Sequence, residues 1–380
     1  MFVESYLQAA SDLIQQYELQ QPLHLYLKAY FKQNKKYGSR DRKYIAELVY
    51  AYYRLGKQQI DLSVREILLI ASFLKSELPI LYFEKTKKEL ATNFTLPLQE
   101  KLKWVEDTYG ISFKVPYQFS AELNNEDFTV LRYSTPRVFI RIRKNKRDIQ
   151  QILSKNQIEY IEENDECFSM HANVKLDELL SPADYVIQDI ASQQTGHFFE
   201  PHAKERWWDC CTASGGKSIM LLDKQPNIQL TVSDVRDSIL KSLHHRFSIY
   251  NYQSKYLSHS IDLSQPVTQF PSNYFDQIIC DVPCSGSGTW ARSPEQYYFF
   301  SEEKLNEFHS KQLVIASEAH QKLKPGGTLY YITCSVFEQE NEAIVDQLLQ
   351  QNCTLASSKL IRETMKGGDS LYIAVIKKDF

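Results

Sequence analysis

From about residue 184 to the C-terminus, apolar runs and amphipathic runs take turns, and this alternation limits the fold more than any other feature of the chain. "RWWDCC" is followed by a helical stretch from about Gly216, "IQLTVSD" by a helix through "SILKSLHHRFSIYN", and "DQIICDVP" by a long helix from 302 to 323 and then "GTLYYITCS". Strands joined by helices lie parallel and are covered on both faces, so this region reads as a parallel α/β sheet. In such sheets ligands gather outside the carboxyl ends of the strands. The residues with chemical capacity fall at those ends: Asp209 and the Gly215–Gly216 pair, Asp234, Asp262, Asp281 and Cys284, then Cys334.

The chain has 380 residues, room for two or three domains. No apolar run approaches the roughly 18 residues of a membrane span. The opening "MFVESYLQAASDLIQQYELQ" is amphipathic and contains acids, unlike a secretory signal. Seven cysteines without a CxxC pair suggest neither a disulfide framework nor a zinc site. A reducing cytoplasm and no metal are the expectation. Residues 1–150 hold 24 Lys/Arg against 17 Asp/Glu, whereas 151–380 hold 20 against 30. A basic half beside an acidic half suits contact with nucleic acid or two domains that merely differ in charge.

The first hundred or so residues read as helices. In "GSRDRKYIAELVYAYYRLGK", Tyr44, Leu48 and Tyr52 share a face with Ile45, Val49 and Tyr53 beside them, Ser39 is the expected cap and Gly56 the stop. "REILLIASFLKSELPILYF" repeats the apolar period and is interrupted at Pro79. Near residue 130 the texture changes. In "RVFIRIRKNKR", Val138, Ile140 and Ile142 alternate with Arg141 and Arg143, and a helix and short strand follow. Six of its eleven residues are basic. A phosphate-contacting edge is the expectation here, against a solvated strand face.

"WWDCCTASGGKS" runs from a strand through small residues into two glycines that open a helix. Such a turn lets backbone approach a ligand and leaves helix amides free. It is neither GxGxxG nor a P-loop, which disfavours a nicotinamide dehydrogenase and an ATPase. Asp234 lies 18 residues after Gly216, a spacing that suits a carboxylate on ribose hydroxyls. Asp262 is placed to meet an adenine amine. An adenosine-bearing cofactor without a phosphate cradle points to S-adenosylmethionine.

Two thiols follow apolar strands, Cys284 in "DVPCSGSG" and Cys334 in "YITCS", 50 residues apart. A thiolate adding to carbon 6 of a pyrimidine makes carbon 5 nucleophilic enough to take a methyl group. A carboxylate such as Asp281 would hold the edge of a cytosine. Cys167, Cys210, Cys280 and Cys353 read as inert packing, and Cys211 is ambiguous because it lies inside the cofactor turn. Residue types alone do not choose the attacking sulfur.

Together, "DCCTASGGKS", "DVPCSGSG" and "YITCSVFEQENE", with "VIQDIASQ" ahead and "GGDSLYIAVIKK" behind, resemble the RsmB/Sun family of RNA 5-methylcytosine methyltransferases over about residues 137–380. The resemblance implies a Rossmann-like domain with a mostly parallel seven-stranded sheet at 184–380, a small α+β domain at 126–183 and a helical NusB-like RNA-binding domain at 1–125. It implies S-adenosylmethionine as cofactor, held by Cys211, Thr212, Ala213, Ser214, Gly215, Gly216, Lys217, Asp234, Asp262 and Asp281. It implies Cys334 as nucleophile, Cys284 as the thiol that helps resolve the adduct, and Asp281 on the base edge. The implied partner is RNA, in particular 16S rRNA, with no membrane and a monomeric chain. Thr212 and Ser214 depart from the family's usual "CAAPGGK", and "TWARSPEQYYFF" replaces a more basic stretch. These departures motivate the alternative of a non-catalytic RNA-binding or assembly protein. Tyr297, Tyr298, Phe299 and Phe300 are expected in a core rather than stacked on bases.

Overall fold

The computed structural model describes residues 3–58, 60–76, 78–172 and 174–380. Met1 and Phe2 of the amphipathic opening and Glu77 of the second helical stretch lie outside the described residues. The chain divides into two compact units. One comprises Met1–Tyr117, Leu123–Ser134 and Trp290–Ser301; the other comprises Gln118–Glu122, Thr135–Thr289 and Glu302–Phe380.

The first unit is helical, with its main helices at Val3–Gln16, Leu23–Gln33, Ser39–Arg54, Val64–Lys75 and Leu98–Tyr109. Each buries the apolar stripe that its 3.6-residue period lays on one face, among them Leu7, Leu13, Leu27, Ile45, Leu48, Val49, Leu68 and Phe73. Ser39 is not the cap. Gly38 takes that place, and the Asp41 carboxylate reaches back to accept its N–H at 2.9 Å, leaving Ser39 as the first helical residue. Gly56 follows the helix at φ 75°, and a Cβ there would meet the Tyr297 ring at 2.3 Å. Pro79 divides the next stretch, ending one helix and preceding Ile80–Thr86.

Segment 290–301 joins this helical core although it lies far along the sequence. Tyr298 and Phe299 pack against the buried cluster, and the Arg132 guanidinium lies 4.0 Å from the Tyr297 ring centre. The four aromatics are half-buried, with Tyr298 and Phe299 on the margin of the core where the sequence reading expects core residues.

The second unit contains two sheets. The smaller uses β1 (Val138–Ile142), β2 (Tyr160–Asn164), β3 (Cys167–Met170) and β4 (Tyr185–Ile187) in the order β2-β3-β1-β4, all antiparallel. Ile140, Ile142, Phe168 and Met170 form its core. The expected phosphate-contacting edge is corrected here. Arg141 and Arg143 turn inward onto Asp223 at 2.7 and 2.6 Å, and Arg137 bonds Ser169. The half-buried Asp223 carboxylate uses two of these guanidiniums, and only Lys144 and Arg147 of the six basic residues stay exposed.

The larger sheet uses β5 (Arg206–Asp209), β6 (Gln229–Asp234), β7 (Tyr256–Ser260), β8 (Phe275–Asp281), β9 (Leu323–Thr333), β10 (Cys353–Arg362) and β11 (Ser370–Lys378). Their order is β10-β11-β9-β8-β5-β6-β7. The β8–β9, β5–β8, β5–β6 and β6–β7 pairs are parallel, and β11 runs antiparallel to both neighbours. From β5 the chain proceeds to β6 on one side and returns to β8 on the other. That reversal opens a crevice at the carboxyl ends of β5 and β8. Trp207, Ile279, Tyr330 and Ile373 belong to the core beneath it.

Candidate active site

β5 ends at Asp209, and the turn after it is held from three directions. Thr212 N–H donates to the Ser233 carbonyl at 2.9 Å, Gly215 N–H to Thr212 at 2.8 Å, and Ala213 N–H to the Asp234 carboxylate at 3.2 Å. Ala213 and Gly215 take φ of 46° and 78°. A Cβ on Gly215 would stand 2.6 Å from the Phe247 ring, so this position demands glycine twice over. At Gly216 the nearest atom would be 3.7 Å away. The helix Gly216–Lys224 starts here with its first amides directed toward the crevice.

Ser214 replaces the rigidity of a proline with an ionic clasp. Arg246 donates to its carbonyl at 3.1 Å and its hydroxyl at 2.9 Å, and to the Ile187 carbonyl at 3.1 Å. The departure that favoured a non-catalytic protein therefore has a structural substitute.

Asp209 is buried, and one carboxylate oxygen accepts Ser218 and Thr212 hydroxyls at 2.6 and 3.1 Å. Its other oxygen has no hydrogen-bond partner among the described residues. Burial pushes its pKa up to about 6, against the pull of the Ser218 hydroxyl. Asp234, at the end of β6, accepts the Arg236 backbone at 3.0 Å and its guanidinium at 2.9 and 3.1 Å. Burial alone would raise its pKa, but the Arg236 bonds hold it below the usual range. Asp262 lies two residues beyond β7, exposed, and accepts Ser264 N–H and hydroxyl at 2.9 and 2.7 Å. The amides of the helix, the glycine at positive φ, and the carboxylates of Asp209 and Asp234 fit a nucleoside that carries an amino-acid tail, such as S-adenosylmethionine.

Lys217 is buried, and its ammonium meets Asp281 at 2.6 Å. Burial works against its proton, but Asp281, then Asp209 and Cys334, hold that proton in place. β8 and β9 keep parallel register to their ends, where Asp281 pairs with Ile332 and Val282 N–H donates to the Ile332 carbonyl at 3.1 Å. That register carries the two following thiols together. Cys284 Sγ lies 3.1 Å from Cys334 Sγ, and Cys334 N–H reaches Cys284 Sγ at 3.3 Å. Both sulfurs are partly exposed, whereas Cys167, Cys210, Cys280 and Cys353 are buried. The contact with Cys334, then burial, push the Cys284 thiol well above its ordinary value. Cys284 is a thiol at neutral pH.

Sequence reasoning missed Glu340. Fully buried, it accepts Ser285 N–H at 2.8 Å and Gln312 at 2.9 Å on one oxygen, and the Ser285 and Ser335 hydroxyls at 2.5 Å on the other. It ties the loop after Cys284 to the loop after Cys334. A strap from the N-terminal half reinforces the second loop: Ser120 N–H donates to the Val336 carbonyl at 2.9 Å, and Asn341 to the Ser120 hydroxyl at 2.8 Å. "FEQENE" contained the signal as three acids after a thiol, but no spacing rule singles out the buried one.

Residues 197–373 match the family model described as 16S rRNA methyltransferase RsmB/F. These residues are similar to that family's domain. Ribosomal RNA small subunit methyltransferase B of Vibrio cholerae serotype O1 is 30% identical over 165 residues, 43% of this chain and 38% of that protein. Its counterpart from Shewanella oneidensis is 26% identical over 344 residues, 81% of this chain and 77% of that protein. The chain thus spans well under half the length of the first relative and about three quarters of the second. Among solved structures, PH0851 superposes with a TM-score of 0.73 at 18% identity, covering 98% of both chains. NSun6 from Pyrococcus horikoshii, solved with SFG, gives 0.57 at 13% identity, covering 66% of this chain and 93% of that one. These likenesses show the fold. The matched segment contains the Gly215–Gly216 turn, both thiols and Glu340.

Proposed function

We propose that the chain transfers a methyl group from S-adenosylmethionine to carbon 5 of a cytosine in RNA, with 16S rRNA as the substrate. The observation that carries this reading is the meeting of Cys284 and Cys334 sulfurs, 3.1 Å apart, beside the Lys217–Asp281 pair. The cofactor supplies a methyl group on a sulfonium sulfur. Thr212, Ala213, Gly215, Gly216 and Asp234 hold it at the turn. The Cys334 thiolate adds to carbon 6, forming an S–C bond while the ring's 5,6 π electrons shift toward carbon 5. A sulfonium donor held at the turn would supply the methyl group to carbon 5 and would leave as a neutral thioether. Loss of the carbon 5 proton to a base then lets the S–C bond break, and Cys334 returns as thiolate. Cys284, a thiol within hydrogen-bond reach of Cys334, helps to resolve the adduct. Asp281 faces the base edge, with Lys217 fixing its orientation.

The helical unit supplies RNA contact in this reading. Lys28, Lys32, Lys35, Lys36, Arg40 and Lys43 are exposed at the corner between helices Leu23–Gln33 and Ser39–Arg54. The only acid within that stretch, Asp41, is engaged by the Tyr6 hydroxyl at 2.5 Å and Gly38 N–H. Tyr30 and Tyr37 stack with centroids 6.4 Å apart beside the cations. Cations interleaved with aromatic faces suit a phosphate backbone with unpaired bases.

The test is methyl transfer from labelled S-adenosylmethionine to 16S rRNA, with nucleoside analysis of the product. Label in 5-methylcytidine is expected. Label in another nucleoside, or none despite cofactor binding, would overturn the reading.

A further inference from the structure

Asp234 is the carboxylate that the methyl-transfer reading gives to the ribose of the cofactor, and it already accepts four donors. Its Oδ1 accepts the Arg236 N–H at 3.0 Å and the Arg236 Nε–H at 2.9 Å. Its Oδ2 accepts the Ala213 N–H at 3.2 Å and the Arg236 Nη2–H at 3.1 Å. A carboxylate has about four lone-pair sites, so a ribose hydroxyl that arrives here finds no free acceptor.

The donors are of two kinds. The two amides are fixed by the chain. Ala213 lies at φ 46° in the turn that Thr212 and Gly215 hold, and the Arg236 amide lies at the entry to the helix Asp237–Ile249. The guanidinium is different. Its side chain is 59% exposed whereas that of Asp234 is 6% exposed, so it can swing into water without disturbing either amide. Its shape is the decisive point. Nε–H and Nη2–H form a two-pronged donor, one prong on each oxygen of Asp234. The cis-2′,3′-diol of a ribose is also a two-pronged donor, with O–H groups on adjacent carbons. Guanidinium and diol suit the same pair of acceptor sites and cannot occupy them together.

We propose that Arg236 is a built-in competitor for the ribose: its guanidinium stands on Asp234 in the place of the 2′,3′-diol, and the cofactor binds by displacing it. This rests on the methyl-transfer reading above, which supplies the cofactor. The exchange balances in hydrogen bonds. Two N–H donors leave Asp234 for water, two O–H donors replace them, and the Ala213 and Arg236 amides stay. The buried carboxylate is therefore never short of donors, in the free or the loaded protein. The competition also sets selectivity. A nucleoside with both hydroxyls displaces the guanidinium, whereas one without them leaves it in place and gains nothing from Asp234.

The experiment is titration calorimetry on the full chain, for the wild type, Arg236→Ala and Arg236→Lys, with S-adenosylhomocysteine and with its 2′,3′-dideoxy analogue. A guanidinium in place about nine-tenths of the time lowers the apparent affinity about tenfold, so R236A is expected to bind S-adenosylhomocysteine about tenfold more tightly than the wild type. R236K, whose point charge cannot span both oxygens, is expected to fall between. The dideoxy analogue is expected to bind all three proteins alike. Without ligand, R236A is expected to melt lower, because buried Asp234 loses two donors, and to show the larger upward shift when S-adenosylhomocysteine is added. Equal or weaker S-adenosylhomocysteine binding in folded R236A would overturn the proposal. So would an equal gain for the dideoxy analogue, which marks a general effect on the crevice. If R236A does not fold, R236K decides by the same two comparisons. Absence of S-adenosylhomocysteine binding in all three proteins would sink the methyl-transfer reading itself, whereas binding that R236A leaves unimproved sinks only the role of Arg236.

Discussion

His320, in the long helix Glu302–Lys322, is 5% exposed, and its Nε2 has no hydrogen-bond partner among the described residues. Burial, then the Lys378 ammonium, push its pKa down to about 4. The unfolded chain therefore binds this proton more readily, and stability is lost as pH falls from about 6.5 through 4. Asp209 has the opposite sign. With its pKa raised to about 6, its folded form keeps a proton that the unfolded chain releases, so stability is lost as pH rises from about 4 through 6. The two slopes oppose each other, and each integrates to about 3 kcal/mol. Thermal unfolding of His320→Phe is expected to show stability falling from pH 4 to 6, and Asp209→Asn to show it rising; parallel curves for the two variants would refute this assignment. Roles at this scale were only partly legible in the sequence. Asp234 and Asp281 stand out because strand ends are countable. Glu340 does not, because its importance lies in being 0% exposed, whereas the other two acids of "FEQENE", Glu338 and Glu342, are partly exposed.

At the scale of elements, the alternation of strand and helix from residue 184 was enough to give the parallel sheet, because parallel strands need crossovers long enough to show a helical period. Ionic satisfaction was not legible. The cations near β1 looked available for phosphate until Asp223, 82 and 80 residues away from Arg141 and Arg143, took both of them. The strap at 118–122 likewise has no periodic signal. The glycines of the two working turns separate by what surrounds them. A Cβ on Gly288 would lie 2.1 Å from the Ser370 carbonyl oxygen and 3.0 Å from that of Cys334, so Gly288→Ala forces the Cys284 loop away from β11. It is expected to cost about 2 kcal/mol or more and to reduce methyl transfer at least a hundredfold. Gly215→Ala is expected to weaken cofactor binding strongly, through its φ of 78° and the Phe247 ring, while Gly216→Ala leaves it within a fewfold. Calorimetry with S-adenosylhomocysteine on both variants checks the contrast, and equal losses at the two positions would contradict it.

Across the whole molecule, the chain passes between its two units several times. Residues 118–122 leave the helical sequence to brace the Cys334 loop, and the chain that carries Cys284 leaves the sheet unit after Thr289 to give 290–301 to the helical core. For the basic corner, Lys32→Ala/Lys35→Ala/Lys36→Ala is expected to weaken binding of a 16S rRNA fragment and to flatten the dependence of log affinity on log salt by about 3, with S-adenosylhomocysteine affinity unchanged. An unchanged salt slope would place the RNA elsewhere. The division of labour between the sulfurs is tested most directly by denaturing electrophoresis of RNA incubated with S-adenosylmethionine and each cysteine variant. Cys284→Ala should accumulate a protein–RNA species that survives denaturation, and Cys334→Ala should form none. An adduct in Cys334→Ala, absent from Cys284→Ala, would contradict the assignment.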